Sequence, residues 1–164
     1  MAENPNLDTP TDLKANQLKG VRDALNQVLA DSFALYMKTK NFHWHVSGPH
    51  FRDYHLLLDD QAQQILGITD AIAERVRKTG GTTLRSIGHV QSLQRIQDNN
   101  ADFVSPQDML QELRADNQRL IEGLRVVKEQ AEAAGDNATS GIVDEWTDQA
   151  EERLWFLFEA SRNT

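Results

Sequence analysis

Apolar residues recur at intervals of three and four along most of this chain, which is the period of a half-buried α-helix. The pattern predicts four long helices, over residues 12–42, 51–78, 106–135 and 139–160. Gly48-Pro49 and Gly80-Gly81 interrupt it and bound the second helix. Ser105-Pro106 supplies an N-cap followed by proline at the first helical position, so the third helix is expected to begin there.

The connection between the second and third predicted helices is long. It covers residues 82–104, and we expect a short helix at 89–96 within it. Four long helices with one extended connection predict an all-α fold, a four-helix bundle with a crossover. The polar stretch 1–12 is expected to be a flexible N-terminal tail, and 13–164 a single domain.

Composition narrows the classes of function. The 164 residues include no cysteine, which excludes a disulfide scaffold and a thiolate metal site. Residues 1–11 lack the pattern of a secretory signal, and no apolar run approaches the ~18–20 residues that span a membrane. We therefore expect a cytoplasmic protein. The formal net charge is −8 and the first basic residue is Lys14, which argues against DNA binding through a basic tail.

Five potential metal ligands lie close together in the sequence: His43, His55, Asp59, Asp70 and Glu74. Imidazole and carboxylate donors without thiolate suit a hard or borderline metal such as iron or manganese. On a helix that turns roughly 100° per residue, the last three lie near 40°, 60° and 100° from His55. The four residues of the second helix therefore share one face.

These four ligands cannot bind one ion within a single chain. Asp59 and Asp70 are ~16 Å apart along the helix axis, whereas metal–oxygen bonds are ~2 Å long. The second helix therefore carries two half-sites, His55 with Asp59 and Asp70 with Glu74. The alternative is an amphipathic helix whose polar residues are merely scattered along its exposed face.

A two-fold axis would complete both half-sites. The midpoint between the two pairs lies between Gln64 and Ile65. A second copy that packs antiparallel about a two-fold axis at this midpoint places each pair opposite the other pair. Ala62 and Leu66 lie on the same face, and we expect them to supply the apolar part of this contact.

A longer pattern resembles the signature of the Dps family, the ferritin-like DNA-binding proteins from starved cells. The residues that carry the resemblance are Asn41-Phe42-His43-Trp44, Gly48-Pro49, Phe51, His55, Asp59, Asp70, Ala73-Glu74-Arg75 and Gly80-Gly81. The resemblance implies that His43, His55 and Asp59 come from one subunit and Asp70 and Glu74 from its partner. It also implies a hollow dodecamer that oxidises Fe(II), preferentially with hydrogen peroxide, and stores the ferric mineral without an organic cofactor.

Other residues near the motif are open to two interpretations. The resemblance implies that Trp44 lies close to the iron site, and the alternative is apolar packing at the end of the helix. We expect His45 and His50 to be exposed loop residues and His89 to be an ordinary helix residue.

The iron-entry pore departs from the family pattern. The family often has Thr-x-Asp at the start of the last helix, whereas this chain reads Thr139-Ser140-Gly141. Nearby acidic residues are alternatives for lining a pore, or they form a solvated face: Asp136, Asp144, Glu145 and Asp148.

Three functions therefore compete. The first is a ferroxidase and iron store that removes Fe(II) together with peroxide and so protects the cell from oxidative damage. The second is a nucleoid-compacting DNA-binding protein with secondary iron chemistry, against which the acidic tail argues. The third is a helical adaptor without a metal, which gives no reason for the ligand residues to share one register.

Overall fold

Residues 5–162, which the computed structural model describes, form five α-helices after a short 3₁₀ turn at Pro5–Leu7. The helices are α1 (Ala15–His45), α2 (Phe51–Lys78), α3 (Ile87–Leu93), α4 (Pro106–Ala133) and α5 (Asn137–Ala160). The hairpin α1–α2 packs against the hairpin α4–α5, mainly through α1 and α4, and α3 lies against α1. The predicted all-α bundle with a short helix in its long connection is confirmed.

The four long helices share one aliphatic core. Each contributes side chains at three- and four-residue intervals, as the hydrophobic pattern predicts. Fully buried members include Leu25, Val28, Leu35, Leu58, Ile65, Ile72, Leu120, Leu124, Val127, Val143 and Leu157. Burying one such side chain stabilises the fold by about 1.5–3 kcal/mol, so this core fixes the relative placement of α1 and α2.

Side-chain caps set three helix starts. The Ser105 hydroxyl accepts the Asp108 N–H at the start of α4, as the sequence predicts. Ser86 accepts the N–H of His89, so α3 begins earlier than the 89–96 expected. A carboxylate oxygen of Asp136 accepts the Thr139 N–H, which moves the start of α5 to Asn137.

The first helix ends three residues later than its hydrophobic stripe. The pattern ends at Phe42, but helical backbone continues to His45, where the N–H of Val46 still donates to the Phe42 carbonyl. His43 therefore lies in the last turn of α1. Gly48 then takes a φ of +107°, a conformation that suits glycine, and reverses the chain into α2.

The N-terminal segment lies beside the end of α2. Arg77 donates to the Leu7 carbonyl at 2.6 Å. Gly80 has a φ of +85°, and a Cβ there would lie 2.9 Å from Arg22 Nη2 and 3.0 Å from the Thr9 carbonyl oxygen. Residues 1–4 of the predicted flexible tail 1–12 lie outside the described residues, so that expectation stays a prediction. None of the helices within 5–162 is long and apolar enough to cross a membrane.

Candidate metal half-sites

His43 and His55 face each other across the turn between α1 and α2. Their rings stack, with centroids 3.8 Å apart and an interplanar angle of 18°. His43 Nδ1 lies 2.7 Å from the His55 carbonyl oxygen, and His55 Nδ1 lies 2.8 Å from the His43 carbonyl oxygen. A carbonyl oxygen only accepts hydrogen bonds, so both Nδ1 atoms carry a hydrogen and donate.

This reciprocal pair of hydrogen bonds selects the tautomer of each ring. In a neutral imidazole with hydrogen on Nδ1, the lone pair lies on Nε2, and that nitrogen is the one able to accept a hydrogen bond or bind a metal. Phe51 stacks on His55 at a centroid distance of 5.0 Å and further restricts its ring. The partners that orient the histidines are thus two backbone carbonyls, which the sequence did not identify.

Asp59 lies one turn beyond His55 on the same side of α2. Its Oδ1 is 3.9 Å from His43 Nε2 and 2.8 Å from Lys40 Nζ, and its Oδ2 accepts from Gln63. The hydrogen bond from Lys40 is the main cause that lowers the pKa of Asp59 below its ordinary value. The structure therefore brings His43, His55 and Asp59 together, with Lys40 bound to the carboxylate.

Asp70 and Glu74 form a separate, exposed pair further along α2. Glu74 Oε2 is 3.4 Å from Lys78 Nζ, and both side chains are more than half exposed. Within residues 5–162, no group of three or more histidine and acidic side chains is arranged to hold a metal ion in the single chain. The division of the ligands into two half-sites stays a prediction.

One expectation about the shared face is wrong. Ala62 is completely buried in the chain's own core, between Leu58 and Ile65, so it has no surface to offer a second subunit. The face of α2 that carries the candidate ligands adjoins the face that packs into the core, and Ala62 belongs to the core face. Leu66 is 42% exposed and remains available.

An apolar surface lies on α1 beside Trp44, the residue that follows His43. A hollow of about 740 Å³ between α1, α3 and residues 94–101 includes Met37, Trp44 and Ile87, which are 57%, 54% and 82% exposed. Lys40 Nζ lies 5.7 Å from the centre of the Trp44 ring. The hydrophobic pattern did not predict this apolar surface, although Met37 and Trp44 fall outside the buried stripe of α1.

The remaining histidines are not gathered around the half-sites. His45 is exposed, as expected, and its Nδ1 lies 2.8 Å from the Asn41 carbonyl oxygen within α1. His50 is also exposed and lies at the start of α2, beside Tyr54. His89 is a residue of α3.

The acidic residues that are candidates for lining a pore differ in exposure and in their ion pairs. Asp136 is 2% exposed and binds both Thr139 and Arg75, so it is part of a buried cap rather than a channel lining. Asp144 pairs with Lys128 at 2.9 Å. Two further acidic residues on α5 are exposed, Glu145 and Asp148.

Comparison with known proteins places this fold and motif in a family. The Ferritin family model, described as a ferritin-like domain, matches residues 22–163. A DNA protection during starvation protein of Agrobacterium fabrum is 33% identical over 149 residues, which is 91% of this chain and 92% of that protein. The chain is a ferritin-like protein of the Dps family.

Two further likenesses cover most of the chain. An uncharacterized low temperature-induced protein of Nostoc is 36% identical over 146 residues, covering 88% of this chain and 82% of that protein. The crystal structure of an archaeal Dps homologue from Halobacterium salinarum has a TM-score of 0.90 and 28% identity, covering 100% of this chain and 93% of that one. The likeness extends along almost the whole bundle.

Proposed function

We propose that this Dps protein oxidises Fe(II), with hydrogen peroxide as the preferred oxidant, at sites shared by two subunits, and stores the ferric product in a hollow dodecamer. The observation that carries the proposal is the reciprocal hydrogen bonding of His43 and His55, which leaves Nε2 of each ring as a metal ligand. The family membership supports iron as the metal.

The second half of each site comes from a two-fold partner in this proposal. Asp70 and Glu74 are exposed on α2, where an antiparallel copy brings them opposite His55 and Asp59. Exposed apolar side chains nearby would be buried by such a contact: Met37, Trp44, Leu66 and Ile87. Burial of this surface stabilises the dimer by the hydrophobic effect.

The ligand types suit the reaction. Imidazole nitrogen binds Fe(II) well, and the carboxylates of Asp59, Asp70 and Glu74 stabilise the additional charge of Fe(III). Two Fe(II) ions each lose one electron, and hydrogen peroxide takes both with two protons to give two water molecules. No hydroxyl radical is released in that balance, which accounts for protection against oxidative damage.

Subunit mixing tests the shared site. One set of subunits carries His43→Ala/His55→Ala and the other carries Asp70→Ala/Glu74→Ala, and each alone is expected to oxidise Fe(II) slowly. A mixed dimer regains one intact site of its two, so anaerobic Fe(II) loading followed by peroxide should show recovered activity. Absence of recovery in mixtures shown to exchange subunits would contradict a site built from two chains.

Assembly and metal binding are tested separately. Sedimentation is expected to show a dodecamer, and only monomers at micromolar concentration would contradict the shell. Anaerobic titration is expected to show Fe(II) binding by the wild-type chain. Absence of binding would favour the metal-free helical adaptor. The cytoplasmic location stays a prediction.

DNA compaction is the alternative, since relatives carry the name DNA protection during starvation protein. Affinity for DNA depends on several lysines or arginines that neutralise phosphates. The net charge of −8 and the position of Lys14 as the first basic residue oppose it. We expect no retention of plasmid DNA in a gel at ~0.15 M salt with a chelator. A stable complex under these conditions would favour the alternative.

A further inference from the structure

The last helix exposes more aromatic surface than a bundle with a single core requires. Residues 154–158 read Leu-Trp-Phe-Leu-Phe, five consecutive apolar positions on one helix. The core covers Leu157 completely, whereas Trp155, Phe156 and Phe158 are 59%, 43% and 40% exposed. A helix that is apolar on all sides is ordinarily buried on all sides, and contiguous exposed apolar surface marks an interface. We therefore expect this end of α5 to be covered in the assembled protein.

Part of this surface lines a groove between α4 and α5. The groove has a volume of about 610 Å³, and Leu154, Trp155 and Phe158 form its apolar side. Arg114 of α4 also lines it, with its guanidinium carbon 4.8 Å from the centre of the Phe158 ring. Among residues 5–162, those that line the groove all belong to α4 and α5. The groove therefore lies on the hairpin that carries none of the candidate metal ligands.

Arg114 has hydrogen-bond donors that its own chain does not use. Within residues 5–162 it has no hydrogen-bond or ion-pair partner, and only Nε of its three side-chain nitrogens is buried. The guanidinium of Arg162 lies over the same Phe158 ring at 4.9 Å, but it already pairs with Glu159 at 2.7 Å. An arginine with accessible donors beside Trp and Phe rings is typical of the central residues of protein interfaces.

Hydrogen bonds to two other helices hold the end of α5 in place before any partner binds. Gln107, at the start of α4, donates to the Ser161 carbonyl at 2.8 Å. The Tyr54 hydroxyl of α2 donates to the Ala160 carbonyl at 3.2 Å. A preformed surface loses less conformational entropy on binding than one that must first become ordered, so this surface is suited to a stable contact.

We propose that the α4–α5 groove, defined by Arg114, Leu154, Trp155 and Phe158, is a second contact between copies of this chain, distinct from the two-fold contact through α2. The inference rests on the proposed shell. A two-fold contact alone closes after two subunits, so a larger closed assembly needs a second, different contact. The proposed two-fold contact uses α1, α2 and α3, which leaves the groove on the other hairpin available for it.

Charge complementarity favours a second copy as the occupant of the groove. The chain has 25 acidic and 17 basic residues, so carboxylates outnumber the cations that could pair with them. Arg114, without a partner in its own chain, therefore meets a surface rich in carboxylates on a neighbouring copy, and it binds a carboxylate through two parallel hydrogen bonds. Apolar side chains of that copy cover Trp155. We expect a heterologous contact, because such contacts close into rings.

Sedimentation and anaerobic Fe(II) titration of the full chain test the two contacts separately. Trp155→Glu is expected to convert the dodecamer into dimers that bind Fe(II) like the wild type, because the shared sites within each dimer are untouched. Leu66→Glu should instead break the two-fold contact and abolish Fe(II) binding. Val126→Glu is the matched control, because Val126 is 46% exposed on α4 but does not line the groove, and it should remain a dodecamer.

Arg114→Gln tests the charged part of the contact and remains informative where Trp155→Glu does not fold. Loss of hydrogen bonds to a carboxylate is expected to raise the protein concentration at which the shell dissociates into dimers by at least about tenfold. Arg119→Gln is the control for this variant, because Arg119 is an exposed arginine of the same helix outside the groove, and it should assemble like the wild type.

Dodecamers as stable as the wild type in both Trp155→Glu and Arg114→Gln would overturn the second contact and leave the ferroxidase proposal standing. Monomers without Fe(II) binding in Trp155→Glu would overturn it as well, because they would place the groove in the two-fold contact. Wild-type dimers that bind Fe(II) would refute the contact together with the shell but not the shared site. A wild-type dodecamer that binds no Fe(II), yet dissociates into dimers in Trp155→Glu, would support the contact and refute the iron function.

Discussion

Two lysines on α1, only two residues apart, form ion-pair clusters that differ in their partner helix and in their burial. Lys38 and Lys40 point to nearly opposite sides of the helix, because two residues correspond to roughly 200° of rotation. Lys38 binds Glu112 and Asp116 of α4, at 2.9 Å and 2.8 Å. Lys40 binds Asp59 of α2 at 2.8 Å.

The two clusters differ in what remains for an additional ligand. In the cluster around Lys38, the lysine and Asp116 are buried, and the second carboxylate oxygen of the partly exposed Glu112 accepts from Asn99. The cluster around Lys40 is partly exposed and adjoins His43, whose Nδ1 donates to a backbone carbonyl and leaves the lone pair on Nε2. The first cluster ties α1 to α4, and the second keeps donor atoms that the proposed metal site requires.

The largest expected effect is on stability, in Lys38→Met. Removing the cation leaves the buried carboxylate of Asp116 without its counter-charge, beside the partly exposed Glu112, and breaking a buried pair typically costs about 3–5 kcal/mol of the free energy of unfolding. Lys40→Met is the matched control, and we expect it to cost less than about 1 kcal/mol, because its ion pair is more exposed. Urea unfolding at neutral pH measures both.

The same variant has a predicted pH dependence. Burial already raises the pKa of Asp116, and loss of Lys38 raises it further. A carboxyl whose pKa is raised in the folded state favours folding when it is protonated, so the deficit of Lys38→Met should shrink as the pH falls through that pKa. A deficit that is equal for the two lysine variants, or constant with pH, would contradict the distinction between the clusters.

The next largest effect is expected on Fe(II) binding, in His55→Ala. The substitution removes a ligand nitrogen but keeps the carbonyl that orients His43, so the fold should be unchanged. Disturbing groups around a metal ligand costs about 10–100-fold in affinity, so loss of a ligand should cost at least about 100-fold. His45→Ala is the control, because His45 is exposed and bonded within α1. Equal binding by both variants would refute the assignment.

The sequence predicted those features that depend on local periodicity. The second helix has the predicted bounds, and the register of Asp59, Asp70 and Glu74 on it follows from 3.6 residues per turn. The hydrogen bonds of His43 and His55 required the angle between α1 and α2, because each ring meets a carbonyl of the other helix. A helical-wheel projection describes one helix at a time and does not contain the angle between two helices.

The errors have the same origin. The wheel placed Ala62 on the ligand face, but the packing of α1 and α5 decides how far the core extends around α2, and Ala62 lies inside it. The position of Asp136 near the start of the last helix made it a candidate for lining a pore. In the structure Asp136 is instead the buried N-cap of α5 and pairs with Arg75. The burial of Arg153, whose Nε donates to Asn117 of α4, likewise depends on how the helices pack.

A smaller effect is expected from Asp59→Ala. Asp59 Oδ1 already pairs with Lys40 Nζ at 2.8 Å, so this carboxylate would have to give up that partner to bind the metal and should contribute less than a histidine. We expect Fe(II) affinity to fall by less than about tenfold, well below the loss in His55→Ala. A loss as large as that of His55→Ala would show that Asp59 is a principal ligand.

The pH profile sharpens that expectation. The lowered pKa keeps Asp59 ionised across the mildly acidic range. The charge of Asp59 is therefore constant between about pH 7 and 5, so the ratio of the Fe(II) affinities of the wild type and Asp59→Ala should not change with pH in this range. Profiles that diverge in this range would mean that Asp59 titrates there.

The smallest expected effect belongs to Lys40→Gln. In the metal-free chain the ammonium of Lys40 occupies Asp59 and places a positive charge beside the atoms that would bind Fe(II). A partly exposed ion pair contributes at most about 1 kcal/mol, so its removal should tighten Fe(II) binding by no more than about fivefold. The pKa of Asp59 should rise toward its ordinary value, which a carboxyl NMR titration would measure. Lys19→Gln, whose exposed ion pair with Asp23 lies near the start of α1 and includes no candidate ligand, is the control for a general change of charge. Weaker binding in Lys40→Gln alone would show that Lys40 supports the metal site instead of competing with it.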